Sequence, residues 1–76
     1  MPRGLQPNPY SELRQLLAQA RSEAALTQSQ VADRLKRPQS FVSKYENGER
    51  QLDVIEFMDV CKALGVSPAA LINHLS

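Results

Sequence analysis

Residues 39–47, QSFVSKYEN, combine a short apolar stripe with several small hydrogen-bonding side chains. If the segment is helical, Val42 and Tyr45 share one stripe, and the opposite arc carries amide, hydroxyl and ammonium groups. A helix that only packs has a charged, solvated back, whereas this arc carries little charge. Such groups can read the edges of DNA bases, because glutamine pairs bidentately with adenine and lysine donates to guanine. The outward arc holds five polar side chains: Gln39, Ser40, Ser43, Lys44 and Asn47. We call the first four of them the polar arc.

Groups suited to binding phosphate lie on both sides of this segment. A preceding helix is predicted to begin at Thr27 and Gln28, where free backbone N–H groups favour an anion. Lys36 and Arg37 lie at the corner between the two helices, in a position to contact a DNA backbone. Residues 27–50 hold five basic and three acidic side chains, a net of +2, in a chain whose overall charge is +1. This bias is modest, and ordinary solvated charge explains it equally well.

Capping and stop signals predict the helices that must position these groups. Side chains that cap helix N-termini stand at four places: Asn8, Thr27, Asp53 and Ser67. Gly48 and Gly65 stand where helices should end. The predicted helices cover residues 9–23, 28–35, 39–47, 54–64 and 68–75, and no segment alternates as a strand does. The sequence therefore predicts an all-α, compact five-helix domain over residues 9–76, preceded by a flexible N-terminal arm over residues 1–8.

Composition narrows the possible functions. The 76 residues suffice for one small domain, and the 42% that are apolar suffice for a core. No apolar run is long enough for a membrane span, and the lone Cys61 favours core packing in a reducing, cytoplasmic compartment. His74 has no second ligand that would make a metal site. Because no nucleophile–base pair and no glycine-rich phosphate loop is present, we expect neither an enzyme nor a cofactor.

The stretches LTQSQVADRL, SFVSKYENGER and ALGVSP together resemble a known family. The segment from Leu26 to Gly65 is similar to the Cro-type, or xenobiotic-response-element (XRE), helix-turn-helix of lambda repressor-like proteins. The resemblance implies a helix-turn-helix at the second and third helices, with the third helix in the major groove of double-stranded DNA. Four side chains match the family's base-contacting positions: Gln39, Ser40, Ser43 and Lys44.

The resemblance also implies roles for residues around the third helix. Gln28 matches a phosphate-contacting glutamine, and Asn47 with Arg50 matches a second backbone contact, although Asn47 equally suits a plain helix end. Arg21 and Glu46 match an ion pair that joins the first helix to the third. Phe41 could touch a thymine methyl group, but packing is the favoured interpretation. The acidic side chains of the fourth helix are expected to be solvated and to face away from DNA: Asp53, Glu56 and Asp59.

Two residues depart from the family pattern at the corner. Lys36 occupies a position that is usually glycine, and a left-handed conformation there would cost about 1 kcal/mol of strain. Pro38 occupies the usual cap of the third helix and leaves that helix without a side-chain cap.

The sequence thus predicts a DNA-binding transcriptional regulator, a repressor acting as a homodimer on a two-fold operator. The expected dimer contact lies on the last helix and the loop before it, at Val66, Leu71, Ile72 and Leu75, unless the core uses that helix completely. One alternative is an antitoxin-type module that binds a protein partner in a toxin–antitoxin or other regulatory complex. Another is a helical interaction domain without DNA binding, and the polar arc argues against it.

Overall fold

A computed structural model describes residues 8–75 of the chain and contains five helices over that range. These are α1 (Pro9–Glu23), α2 (Gln28–Leu35), α3 (Gln39–Asn47), α4 (Val54–Leu64) and α5 (Pro68–His74). The predicted bounds are confirmed except at α5, which ends one residue earlier because Leu75 is extended (φ −88°, ψ 111°). The predicted arm lies outside the described residues apart from Asn8, whose side chain caps α1. No helix in the described range has the length and apolarity that crossing a membrane requires.

Local capping sets the start of two helices in the same way. The Thr27 hydroxyl accepts the Gln30 N–H at 3.1 Å, and the Gln30 side chain accepts the Thr27 N–H at 2.8 Å. Asp53 and Glu56 repeat this capping box at the start of α4, with distances of 2.7 and 3.1 Å. Each box satisfies two backbone donors that a helix N-terminus leaves without partners.

Three helices end on a left-handed residue or directly before one. Lys36 has φ 58° and ψ 42°, so the corner adopts the left-handed conformation without glycine, a point that the sequence left open. Gly48 has φ 83° and ends α3, and a Cβ added there would lie 2.9 Å from the Arg14 guanidinium carbon. Pro38 provides no side-chain cap for α3, as predicted. The corner between α2 and α3 is therefore held by packing and by a backbone cap, in which the Lys36 N–H donates to the Asp33 carbonyl at 3.1 Å, rather than by a side-chain cap.

The core lies between the helices, with α3 packed against α1 and α2, and α2 also packed against α4. Val31, Val42 and Val60 have no exposed surface, and Ala32 is small enough for α2 and α3 to approach closely. Cys61 is also fully buried, and this burial raises the pKa of its thiol to about 11. It is therefore an unreactive core residue, in agreement with the sequence prediction.

The last helix differs from its sequence-based interpretation. Leu71 is buried in the core of the chain itself, and Val66 packs against that core. Leu71 has little surface left for a dimer contact, so its place in the predicted contact is corrected, whereas Val66 is half-buried and stays a prediction. Ile72 remains exposed, and Leu75 is half-buried. α5 has only seven residues, and its apolar side packs on α4.

Candidate nucleic-acid interface

The α3 helix divides into a buried side and an exposed side, as its sequence predicts. Phe41, Val42 and Tyr45 are buried, and Phe41 meets Tyr45 edge-on with ring centroids 5.6 Å apart. The packing interpretation of Phe41 is therefore confirmed. On the other side Gln39, Ser40 and Lys44 are exposed and Ser43 is half-buried, so the structure places the whole polar arc on one accessible surface of α3.

A hydrogen bond from α2 orients one member of the polar arc. The Ser29 hydroxyl donates to the Gln39 side-chain oxygen at 2.9 Å. This leaves the Gln39 NH₂ group free to donate and a second lone pair on its oxygen free to accept. Sequence reasoning missed Ser29, because ten positions separate it from Gln39 and only the angle between α2 and α3 brings them together.

The predicted pair Arg21 and Glu46 lies in contact between α1 and α3. Arg21 Nε donates to Glu46 Oε2 at 2.8 Å, and Arg21 Nη2 donates to Oε1 at 3.1 Å. Arg21 Nη1 also donates to the Leu26 carbonyl at 3.0 Å. Side-chain exposure is 22% for the arginine and 7% for the glutamate. The hydrogen bond with Glu46 raises the pKa of the Arg21 guanidinium, so the guanidinium remains charged.

Glu46 also determines what the start of α2 can offer to DNA. Gln28 Nε2 donates to Glu46 Oε1 at 2.9 Å, so the Gln28 side chain is held by the protein. The capping box uses both the hydroxyl oxygen and the backbone N–H of Thr27. The donors left for a phosphate are the Thr27 O–H, the second N–H of the Gln28 amide, and the backbone N–H groups of Gln28 and Ser29, which have no partner inside the helix.

A second cluster of guanidinium groups lies around the Phe41 ring of α3. Arg37 Nη2 is 3.5 Å from Glu56 Oε2, and Arg50 Nη2 donates to the same oxygen. Both guanidinium groups also lie over the Phe41 ring, with their central carbons 4.5 and 5.0 Å from its centroid. The two predicted phosphate contacts, Arg37 and Arg50, are thus brought together by one carboxylate and one aromatic ring. We call these four residues the Glu56 cluster.

Glu56 overturns the expectation that all the acidic residues of α4 are solvated. Its side chain is only 13% exposed, whereas Asp53 and Asp59 are exposed. The Asp53 backbone N–H, and after it the Arg50 and Arg37 guanidinium groups, lower the pKa of the Glu56 carboxyl. The capping-box pattern identifies Glu56 as a helix-start residue, but nothing in the sequence shows that its second oxygen reaches the corner cations.

The remaining predicted phosphate contacts, Lys36 and Asn47, are both exposed. Lys36 lies beside a groove between α2 and α4 that Arg34, Asp59 and Lys62 also line. Asn47 is the last residue of α3, next to Gly48. Neither side chain makes a hydrogen bond or ion pair within residues 8–75, so both are available to a partner.

Comparison with known proteins agrees with this geometry. A family model described as a helix-turn-helix domain matches residues 12–75. An XRE-family like protein from Pseudomonas syringae pv. tomato str. DC3000 is 58% identical, with a TM-score of 0.85, over 88% of this chain and 82% of that one. No curated protein matches the chain.

More distant solved structures share the fold. The clp gene regulator ClgR from C. glutamicum is 23% identical with a TM-score of 0.83, over 92% of this chain and 91% of that one. The restriction-modification controller protein C.AhdI from Aeromonas hydrophila is 24% identical with a TM-score of 0.75, over 82% of this chain and 94% of that one. With a helix-turn-helix at α2 and α3 and a family match over most of its length, the chain belongs to the XRE family of helix-turn-helix DNA-binding regulators.

Proposed function

We propose that this protein is a sequence-specific repressor of transcription that binds a two-fold DNA operator as a homodimer in the cytoplasm. The polar arc is the observation that carries the proposal. It presents two amide or ammonium groups and two hydroxyls on one accessible surface, while the opposite side of α3 is buried. Base edges in the major groove offer complementary donors and acceptors to such groups.

Groups around the polar arc support a phosphate-binding role. The start of α2 supplies two free N–H groups at its positive end, next to the Ser29–Gln39 hydrogen bond. Arg37 directly precedes the cap of α3, and Arg50 follows its end. The two guanidinium groups, which meet at Glu56, and the N–H groups at the start of α2 would fix the register of α3 on the duplex, whereas the polar arc would read sequence.

Exposed apolar side chains on α4 and α5 support a second copy of the chain as partner. Val54, Ile55 and Met58 lie on one face of α4 with 70%, 66% and 50% exposure, and Ile72 on α5 is 50% exposed. Val54 and Ile72 line one apolar groove. Monomers rarely leave such a patch uncovered, and a two-fold operator requires a self-complementary contact. We call this surface the α4–α5 patch; of the four dimer residues predicted from sequence, it retains Ile72 and, in the same groove, Leu75.

The same patch is the feature that favours the runner-up, an antitoxin-type module whose partner is a different protein. Sedimentation across a concentration range separates the two possibilities. A homodimer should dissociate on dilution, and Ile55→Ser with Met58→Ser should weaken it, whereas exposed Ala69→Ser on α5 serves as the control. A monomer at high concentration, with and without DNA, would contradict the dimer.

Selection of bound sequences from a random DNA pool, at two salt concentrations, tests the main proposal. A two-fold motif is expected, with half-site centres about 34 Å, or one DNA turn, apart. Gln39→Ala or Lys44→Ala should then cost ~1–3 kcal/mol on the selected site and little on scrambled DNA. Gln15→Ala, an exposed glutamine on α1, is the matched control. An unchanged ratio of selected to scrambled affinity in both variants would remove the polar arc as the reading surface.

A further inference from the structure

The Glu56 cluster gives two cations a single shared anion. Glu56 Oε2 accepts from Arg50 Nη2 and lies 3.5 Å from Arg37 Nη2, while both guanidinium groups lie over the Phe41 ring. Arg37 belongs to the corner between α2 and α3, and Arg50 belongs to the loop between α3 and α4. One carboxylate therefore holds cations from two separate segments beside the same α3 residue.

The carboxylate is fixed more firmly than the cations that it holds. Glu56 Oε1 accepts the Asp53 backbone N–H at 3.1 Å as part of the α4 capping box. The Glu56 side chain is 13% exposed, whereas Arg37 and Arg50 are 44% and 41% exposed. The arginines can therefore turn toward solvent, but Glu56 cannot follow them without breaking the helix cap.

A phosphate and Glu56 must compete for the same N–H donors. Guanidinium groups make their strong hydrogen bonds to carboxylates and phosphates in the same geometry. The cluster carries a net charge of +1, from two arginines and one glutamate, in place of the +2 that the arginines alone would carry. Sequence-independent DNA binding depends almost entirely on such phosphate neutralisation. The cluster therefore attracts a DNA backbone less than its two arginines suggest.

We propose that Glu56 is a specificity-determining residue that restrains binding to nonspecific DNA by holding Arg37 and Arg50 at fixed positions. This inference rests on the proposed function for its partner, double-stranded DNA. On the cognate site, base contacts by the polar arc set one docking register, and the arginines meet phosphates near the positions in which they are held. On other sequences the arginines must move to reach phosphates, and Glu56 opposes that movement.

The chain itself provides an isosteric test. Gln30 occupies in α2 the capping-box position that Glu56 occupies in α4, so a glutamine supports such a cap. Glu56→Gln should therefore keep α4 intact and remove only the charge. Glu49→Gln is the matched control. Glu49 is exposed in the loop between α3 and α4 and makes no ion pair in the part of the chain that the structure describes.

The measurement is a salt titration of both variants and of the unmodified chain on a selected duplex and a scrambled duplex. On the scrambled duplex, Glu56→Gln should raise affinity about tenfold at low salt and steepen the slope of log affinity against log salt by about 0.9 per protomer. Affinity for the selected duplex should rise less, so the ratio of the two affinities should fall at least about threefold. With Arg37 and Arg50 both replaced by glutamine, Glu56→Gln should behave like Glu49→Gln.

Three results would overturn the inference. Glu56→Gln could match Glu49→Gln on scrambled DNA, could weaken binding to both duplexes, or could keep its effect after both arginines are replaced. Thermal unfolding of each variant tests whether loss of the fold explains a change in affinity. If the proposed function fails, the unmodified chain shows no preference for any selected duplex. The comparison of the variants on the scrambled duplex would still decide the role of Glu56.

Discussion

Two glutamates, Glu46 and Glu56, each accept hydrogen bonds from arginine, yet they lie in different surroundings. Glu46 is 7% exposed and receives Arg21 through two nitrogens, together with the Gln28 amide. Glu56 is 13% exposed, but its arginine partners are largely open to solvent. The first group joins α1, α2 and α3, whereas the second holds cations that another molecule can reach. Pairing of arginine with glutamate thus supports the fold at Glu46, whereas at Glu56 it leaves the arginines accessible to a ligand.

The difference arises from the cations rather than from the carboxylates. A guanidinium that is largely buried and makes several hydrogen bonds cannot leave its partner without leaving a buried charge unpaired. An exposed guanidinium is solvated in either arrangement, so its ion pair contributes little to the stability of the fold. Four substitutions and one titration test this comparison, beginning with the largest expected effect.

Glu46→Ala should give the largest change. Removing this carboxylate strands the Arg21 guanidinium and the Gln28 amide, and it should lower the free energy of unfolding by ~1–3 kcal/mol while helix content persists at low temperature. Chemical denaturation measures the change, with exposed Glu49→Ala as control. The double variant Arg21→Ala, Glu46→Ala should recover part of the loss. A loss no greater than that of Glu49→Ala would show that the buried pair does not support the fold.

Arg37→Ala and Arg50→Ala should affect DNA binding and leave the fold almost unchanged. Each removes one phosphate contact, so the slope of log affinity against log salt should flatten by about 0.9 per protomer on selected and scrambled DNA alike. The free energy of unfolding should change by less than about 1 kcal/mol, because the ion pairs are exposed. Equal slopes in variant and unmodified protein would mean that these cations do not face DNA.

Tyr45→Phe should have a small effect in the favourable direction. Tyr45 directly precedes Glu46 in the sequence. Its hydroxyl oxygen is buried and has no hydrogen-bond partner among the described residues. Removing it should leave the free energy of unfolding unchanged or raise it by up to about 1 kcal/mol. Burial raises the pKa of Tyr45, so the folded state also loses stability as pH rises above the value of an unfolded tyrosine. Denaturation at neutral and alkaline pH should show that Phe removes part of that loss, and a destabilised variant at neutral pH would reveal an overlooked partner.

The acid titration of Glu56 should give the smallest change. Its pKa lies below the ordinary value of 4.5, mainly because of the Asp53 N–H, so its stabilising contribution is complete above that pH. The contribution is lost as pH falls through the lowered value. Carbon NMR of the carboxyl groups should show that the pKa of Glu56 lies below the ordinary glutamate value, and Glu56→Gln should remove this part of the acid dependence. A pKa of Glu56 above that ordinary value would contradict the geometry of the helix cap and of the Glu56 cluster.

The helix bounds and the polar arc could be predicted because their determinants are local. A capping box needs two residues three positions apart, and the split of α3 into two sides follows from helical periodicity over nine residues. The Arg21–Glu46 contact spans 25 positions, and only the family resemblance suggested it. Lys36 shows the limit of local rules, since packing of α2 on α3 keeps a left-handed corner that its residue type disfavours.

Local signals in the sequence therefore predict the five helices and the outward side of α3, and the family resemblance adds the helix-turn-helix at α2 and α3. Packing of the helices places Leu71 in the core, leaves Ile55 and Met58 exposed, and brings Glu56 to Arg37. Each of these outcomes depends on how two helices are placed relative to one another. Helix starts are governed by hydrogen bonds within one turn, whereas side chains of separate helices meet only after the whole core has packed.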